Sequence, residues 1–165
     1  MLTLTKPSIV EFLKQRDLDT TIQDETDQIY VKLTVEKREF PLFLRIYEDT
    51  GLLQLLVFLP CSLEKNKVGE MGRLLHMLNK EIDIPGFGMD EMAGVVFFRC
   101  IIPSHEKEIR EETLEAFLGT IQTISHSFSP AVEALAAGAV SFEEMLSKAQ
   151  EMQEQAEDHG TQEPS

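Results

Sequence analysis

The feature that most constrains the fold is a run of three strand-like segments between residues 29 and 59, separated only by short polar turns. Apolar and polar residues alternate in the first segment, and the second also has a two-residue period, as in β-strands. The turns at 36–39 and 48–51 are too short to contain a crossover helix. Three consecutive strands joined in this way predict an antiparallel meander.

The third segment, LLQLLVFL at residues 52–59, is apolar on both faces except at Gln54. An antiparallel strand with one solvated face should alternate between apolar and polar residues. The pattern therefore indicates that something covers the second face of the sheet. The cover could be a helix of the same chain, a second copy of the chain, or a segment of a bound partner.

Helical periodicity lies on both sides of this meander. Residues 7–16 predict a short amphipathic helix, for which Thr5 or Ser8 could serve as N-cap. Residues 63–82 predict a second helix, with Ser62 as its N-cap. Two glycines inside the second helix, Gly69 and Gly72, indicate either close packing or positions where glycine is merely tolerated.

The sequence pattern of the C-terminal third of the chain predicts helices. Ser104 is the predicted N-cap of a long core helix that ends near Phe128, and Ser129-Pro130 predicts a restart. Ser141 and Glu144 have the spacing of a capping box. The predicted division is an α+β domain at residues 1–128, a C-terminal helical extension at 129–154 and a disordered acidic tail at 155–165.

The glycines of GFGMDEMAG, residues 86–94, raise the question of a phosphate-binding loop. A dinucleotide fingerprint needs its third glycine three residues after the second, and a helix after the loop. Here Gly94 comes six residues after Gly88, a strand-like segment follows, and Asp90 would repel a phosphate. We therefore predict a β-hairpin, with a strand at 84–89, a turn at 90–94 and a strand at 95–102.

The charge balance restricts the classes of partner. The chain has 29 acidic and 15 basic residues, for a formal net charge of -14. Such a chain repels phosphate backbones and anionic lipid, so neither nucleic acid nor membrane insertion is expected. The acidity could serve solubility alone, or form a rim that suits basic or aggregation-prone partners. No signal-peptide pattern occurs at the N-terminus, and we expect a cytoplasmic protein.

The sequence contains no recognisable catalytic or metal-binding pattern. Cys61 and Cys100 lie far apart and form no CxxC motif, so reduced thiols are expected. The four histidines share no metal-ligand spacing with cysteines or acidic residues. We therefore expect no metal, no cofactor and no small-molecule substrate. From the residues alone, the enzymatic alternative is a site that the fold assembles from dispersed titratable residues.

The hairpin region also carries a resemblance to a known family. A helix end with an asparagine, a glycine-led strand, an acidic turn and an apolar strand bearing an arginine resemble the YbjN-type pattern. The order of elements over residues 7–128 also resembles the class I type III secretion chaperones. The resemblance implies an α+β fold with the order α-β-β-β-α-β-β-α, in which an antiparallel sheet packs against helices. The predicted C-terminal helices are extra to that fold and depart from the compact chaperones. The positions that carry the hairpin pattern are Asn79, Gly86, Phe87, Asp90, Gly94, Phe98 and Arg99.

The resemblance implies a cytoplasmic, non-enzymatic homodimer that binds an extended segment of secreted effector proteins and keeps it soluble. The alternative is a YbjN-type regulatory or assembly factor that binds a folded protein partner. Each predicted contact residue could instead belong to the core or to a dimer contact. The predicted client-binding residues are Ile9, Val10, Leu13, Phe43, Tyr47, Leu56 and Phe58. The predicted dimer-interface residues are Val68, Met71, Gly72 and Leu75.

Overall fold

The computed structural model of the protein describes residues 1–160, with side chains through Gln155. Four helices and eight strands occur in this part of the chain. In chain order they are β1 (Leu2–Thr3), α1 (Lys6–Lys14), β2 (Asp19–Gln23), β3 (Gln28–Val35), β4 (Arg38–Tyr47), β5 (Leu52–Phe58), α2 (Val68–Glu81), β6 (Phe87–Asp90), β7 (Val95–Pro103), β8 (Glu108–Ile109), α3 (Glu111–Ala136) and α4 (Phe142–Gly160).

Six of the strands form one antiparallel sheet in the order β2-β3-β4-β5-β7-β6. The predicted meander is confirmed, because β3, β4 and β5 are sequential neighbours in this sheet. The predicted hairpin is also confirmed, since β6 pairs with β7 and β7 pairs with β5. The short strands β1 and β8 pair with each other outside this sheet. The α+β fold class predicted from the sequence is therefore confirmed.

The core lies between one face of the six-stranded sheet and the helices. We call this side of the sheet the inner face. Its side chains alternate along each strand, as the predicted period of two requires. The helices supply the opposing layer, with Phe12 of α1, Leu74 of α2 and Ile121 of α3 among their buried residues. The buried inner-face residues of the sheet include Ile29, Val31, Leu33, Phe40, Leu42, Leu44, Leu53, Leu55, Val57, Val96, Phe98, Cys100 and Ile102.

The start of α2 differs from the prediction. The helix begins at Val68 after a short 3-10 turn at Lys65–Lys67, and Ser62 is not its N-cap. The reason is tertiary: the backbone N–H of Leu63 donates to the carbonyl oxygen of Gly94 at 2.8 Å. That bond attaches residue 63 to the β6–β7 hairpin, and the buried Leu63 side chain keeps it there.

The start of α3 also differs from the prediction. Ser104 does not cap a helix, because its hydroxyl donates to the carbonyl oxygen of Gly51 at 2.6 Å. The chain then turns through Glu106 and Lys107, both in the left-handed region, and forms β8 before α3 begins at Glu111. Strand β8 forms because β1 pairs with it. The two segments are distant in sequence, so no local pattern predicts this contact.

The sequence pattern does not predict strand β2, whose sequence is DTTIQ. Only Ile22 is a large apolar residue in it, so the segment has no apolar alternation of its own. Its strand conformation comes from pairing with β3, in which Thr21 lies opposite Tyr30. The predicted strand at 84–89 begins later, at Phe87, after Pro85, which has no N–H to donate.

Helix α3 continues through the predicted restart at Ser129-Pro130 and ends at Ala136. Proline removes one helical hydrogen bond, but Val132 and Leu135 beyond it are fully buried, which favours continuation of the helix. The predicted domain boundary between residues 128 and 129 therefore lies inside a continuous helix.

The capping box that precedes α4 is confirmed. The backbone N–H of Ser141 donates to Glu144 Oε2 at 2.7 Å, and that of Glu144 donates to Ser141 Oγ at 3.2 Å. The helix that follows is longer than predicted. Residues 155–160, predicted to belong to a disordered tail, are helical, and residues 161–165 of that predicted tail lie outside the described residues.

Candidate functional site

The second face of the six-stranded sheet, which we call the outer face, is apolar and has no helix over it in residues 1–160. Its central residues are half-buried by one another, whereas their inner-face neighbours are fully buried. Ile101, a large aliphatic residue on this face, is 45% exposed. The residues that point to the outer face from the central strands include Tyr30, Phe43, Tyr47, Leu52, Leu56, Phe58, Phe97 and Ile101.

Four rings cross the outer face from β3 to β7 and form what we call the aromatic row. The ring centroids of Tyr30 and Phe43 are 5.3 Å apart, those of Phe43 and Phe58 are 5.7 Å apart, and those of Phe58 and Phe97 are 6.4 Å apart. Tilted and edge-on contacts at these distances are favourable for aromatic side chains. The row crosses four adjacent strands, a width of about 14 Å at the normal strand spacing.

Two glycines of the segment 86–94 lie where other protein groups approach the backbone closely. Gly88 lies opposite Phe97, and a Cβ atom added to Gly88 would be 2.7 Å from Cζ of that ring. A Cβ atom on Gly86 would be 2.2 Å from the carbonyl oxygen of Arg99. These glycines therefore allow close approach of protein groups to the backbone of the hairpin.

Two grooves open beside the end of the aromatic row at Phe97. The first, with a volume of about 400 Å³, is lined by Leu56, Phe58 and Phe97 among others. The second, with a volume of about 560 Å³, reaches the edge of the sheet and includes Pro85. Phe97 and Arg99 line both grooves.

Two arginines flank the aromatic row. The guanidinium carbon of Arg45 is 4.9 Å from the ring centroid of Tyr47, and that of Arg99 is 5.9 Å from the ring centroid of Phe97. Both distances fall within the range of cation–π attraction. The apolar centre of the outer face therefore carries two positioned cations.

The structure brings four of the predicted client-binding residues together on the outer face. Phe43 lies directly opposite Leu56 in the pairing of β4 with β5, and Tyr47 and Phe58 point to the same side. Sequence reasoning did not select Tyr30, Phe97, Arg45 or Arg99 for this surface. The two-residue period assigns each of them to a face of its strand, but only the register between strands shows that they are neighbours.

Two of the three predicted client-binding residues of α1 are buried in this subunit. Ile9 and Leu13 are both 0% exposed and belong to the core, and Val10 is half-buried. An amphipathic helix buries its apolar side, and here the sheet already occupies that side. In this subunit Ile9 and Leu13 therefore take the alternative assignment to the core, and a client-binding role for them stays a prediction.

The predicted dimer-interface residues of α2 are divided in the same way. Met71 and Leu75 are buried in the subunit core, whereas Val68 and Gly72 are half-buried. A Cβ atom on Gly72 would lie 3.4 Å from Cε of Met89, so α2 packs closely on β6 at this point. Met71 and Leu75 are therefore core residues of this subunit, and the dimer interface on α2 stays a prediction.

The titratable groups give no support for nucleophilic chemistry at the cysteines. Burial raises the pKa of the Cys100 thiol to about 11 and also raises the pKa of Cys61. Both thiols are therefore protonated at neutral pH. Within the part of the chain that the structure describes, no group of three or more His, Cys, Asp or Glu side chains could hold a metal ion. None of the helices in that part has the length and apolarity to span a membrane.

Residues 7–134 match the YbjN family, described as "Putative bacterial sensory transduction regulator". The match covers most of the chain, and the protein belongs to this family. The YbjN-type resemblance seen in the hairpin residues is therefore confirmed. No curated protein matches the chain.

Two solved structures are similar to this chain. A chain from the "Crystal Structure of the ExsC-ExsE Complex" is 21% identical, with a TM-score of 0.52 over 73% of this chain and 87% of that chain. A chain from the "Structure of the HopA1-SchA Chaperone-Effector Complex" is 18% identical, with a TM-score of 0.44 over 72% of this chain and 92% of that chain. The first of these likenesses supports the α+β fold.

Proposed function

We propose that this protein is a type III secretion chaperone that binds an extended segment of secreted effector proteins on its outer face and keeps that segment soluble. The observation that carries the proposal is the aromatic row on a sheet face that no described helix covers. In monomeric soluble proteins a large contiguous apolar surface commonly marks a site of interaction.

The shape and chemistry of the outer face suit a polypeptide. The aromatic row spans four strands, and grooves of about 560 and 400 Å³ lie beside it. Burying apolar surface contributes about 25 cal/mol for each Å² removed from water, so a segment laid along the aromatic row gains affinity from every ring it covers. The fold shared with a chain of the ExsC-ExsE complex is consistent with a protein that works inside a complex.

Further elements of the proposal concern the whole molecule. The protein acts as a homodimer in the cytoplasm, without enzymatic activity and without a small-molecule substrate. Val68 and Gly72 are the members of the predicted dimer interface that remain at the subunit surface. The C-terminal extension consists mainly of helix α4. The α3 residues after 128 connect the α+β domain to α4.

Co-expression with candidate secreted effectors tests the proposal. The wild-type protein should raise the soluble yield of an effector that is insoluble alone, and the Phe58→Glu variant should lose this effect because a carboxylate would enter the aromatic row. The matched control is Ile22→Glu, which adds the same charge at an exposed apolar residue of β2. Equal activity of both variants, with circular dichroism showing both folded, would contradict the proposal.

A second candidate function is a regulatory or assembly factor that binds a folded protein partner. The observation that favours it is membership of the YbjN family, whose description is regulatory. Hydrogen exchange of the bound partner separates the two functions. A chaperone client should exchange rapidly outside the bound segment, whereas a folded partner should keep its protected amides.

A further inference from the structure

We propose that the outer face selects partner segments in which carboxylates accompany apolar side chains. This inference rests on the proposed function, because it specifies the chemistry of the segment that the outer face binds. This preference is the opposite of the one expected from the net charge of -14, which by itself would favour basic partners.

The local charge of the outer face differs from the net charge of the whole chain. Lys32 is paired with Glu39 at 2.6 Å, and Asp19 lies opposite Lys32 in the sheet. Asp90 is engaged in its own turn, where Oδ1 accepts the backbone N–H groups of Met92 and Ala93, each at 2.9 Å.

Arg45 and Arg99 take no part in these pairings. Both are exposed, and neither lies within 4.0 Å of a carboxylate in the side chains that the structure describes. The centre of the outer face is therefore locally positive, and its two cations have no partner within the subunit. A bound segment that supplied carboxylates would pair them.

The register of the sheet sets the distance between the two arginines. Arg45 lies opposite Gln54, and Arg99 lies opposite Leu56, so the arginines stand on either side of β5 and are offset by two residues. Normal strand geometry then separates their Cα atoms by about 12 Å. Two residues four positions apart in an extended segment are separated by about 13 Å and point to the same side. The geometry thus fits a segment with two acidic residues at this spacing.

The surroundings of each guanidinium strengthen a contact with a carboxylate. Each arginine lies beside an aromatic ring, and a planar guanidinium so placed can still present two N–H groups to a carboxylate. Apolar neighbours reduce the competition from water. At physiological ionic strength the Debye length is about 8 Å, so more distant acidic groups of the chain are largely screened. A lysine or arginine of the partner would be repelled at the same positions.

A phage-displayed library of random 12-residue peptides, selected on the purified full-length protein, tests the inference. Selected peptides should be enriched in Asp or Glu beside aromatic or aliphatic residues. Replacing the acidic residues of a selected peptide by the corresponding amides should weaken binding about tenfold or more, as measured by fluorescence anisotropy. The double variant Arg45→Gln/Arg99→Gln should weaken binding of the original peptide to a similar extent. The matched control is Arg110→Gln, an exposed arginine away from the outer face.

The outcomes separate this inference from the proposed function. Peptides that require Phe58 but show no acidic preference, or a basic one, would overturn the inference and leave the binding face in place. Peptides whose binding is indifferent to Phe58→Glu would overturn both, as would a library that yields no binder. A wild-type dimer that Phe58→Glu converts to monomers would show that a second copy occupies the outer face, which also overturns the inference.

Discussion

The side chain of Asn79 pairs with the backbone of Phe87 as a neighbouring strand would. Its Nδ2 donates to the carbonyl oxygen of Phe87 at 3.0 Å, and its Oδ1 accepts the N–H of Phe87 at 2.9 Å. Oδ1 also accepts the N–H of Gly86 at 3.0 Å. Since β6 is an edge strand, these bonds occupy backbone groups that would otherwise face solvent or another chain. They also fasten the end of α2 to the sheet.

Replacement of Asn79 by alanine should destabilise the protein by roughly 1–3 kcal/mol, because each lost hydrogen bond contributes about 1 kcal/mol and three are removed. Asn79→Asp should also be destabilising, since a carboxylate cannot donate to Phe87. Urea unfolding monitored by circular dichroism measures both changes. The control is Asn66→Ala, at an exposed residue of the 3-10 turn. If Asn79→Ala were as stable as this control, the proposed edge pairing would be energetically irrelevant.

Leu13→Ala should destabilise the protein by about 2–5 kcal/mol, because it removes a completely buried side chain and leaves a cavity. Val10→Ala, on the same helix but half-buried, should cost less. Thermal or urea unfolding of the two variants measures the difference. A small loss for Leu13→Ala, together with weaker partner binding in the folded variant, would restore α1 as a binding surface.

Two glycine substitutions should have opposite effects on stability. Gly69→Ala should stabilise α2 by up to about 1 kcal/mol, because no atom beyond the adjacent residues and the local helix backbone lies within 4 Å of the added Cβ, and alanine is the better helix former. Gly88→Ala should be destabilising, because the added Cβ would collide with the Phe97 ring. Unfolding midpoints compare the two variants under identical conditions.

A double-mutant cycle with Phe97→Ala tests the cause of the Gly88 effect. The loss caused by Gly88→Ala should shrink when the ring is absent, since the contact between the two residues is then removed. A loss that stays the same in the Phe97→Ala background would assign the effect to the backbone instead.

Acid should loosen the attachment of α4 through Glu70. Its carboxylate accepts the N–H of Phe142 at 2.9 Å and the ammonium of Lys67 at 2.9 Å. These two contacts, the backbone bond first, lower the pKa of Glu70 in the folded protein. A lowered folded pKa means that the stabilisation is complete above the unfolded pKa of about 4.3 and is lost as the pH falls through the folded value.

Glu70→Gln should therefore reduce the pH dependence of stability below about pH 4.3, the ordinary pKa of glutamate. Unfolding midpoints or hydrogen exchange of the α4 amides, measured from neutral to acid pH, would show the change. Glu48→Gln, at an exposed turn residue, serves as the control. An unchanged acid profile for Glu70→Gln would show that this carboxylate does not couple α2 to α4.

The local sequence pattern predicts an element correctly where the residues of that segment alone determine its structure. The meander from β3 to β5, the β6–β7 hairpin and the capping box before α4 could each be predicted, because side-chain period, turn residues and cap spacing are properties of a few adjacent residues. The errors occurred where a distant contact decided the backbone. Leu63 is attached to the hairpin, β8 to β1, and the sequence of β2 becomes a strand only by pairing with β3.

The sequence by itself determined that β5 and β7 are apolar on both faces, and therefore that the sheet has more apolar surface than one helical layer covers. Only the tertiary structure decided which apolar residues remain at the surface. It buried Ile9 and Leu13 of α1 in the core and left Phe43 and Phe58 in a row with Phe97 on the outer face. The physical reason is that periodicity fixes the face of one element, whereas exposure depends on which elements pack against that face and in what register.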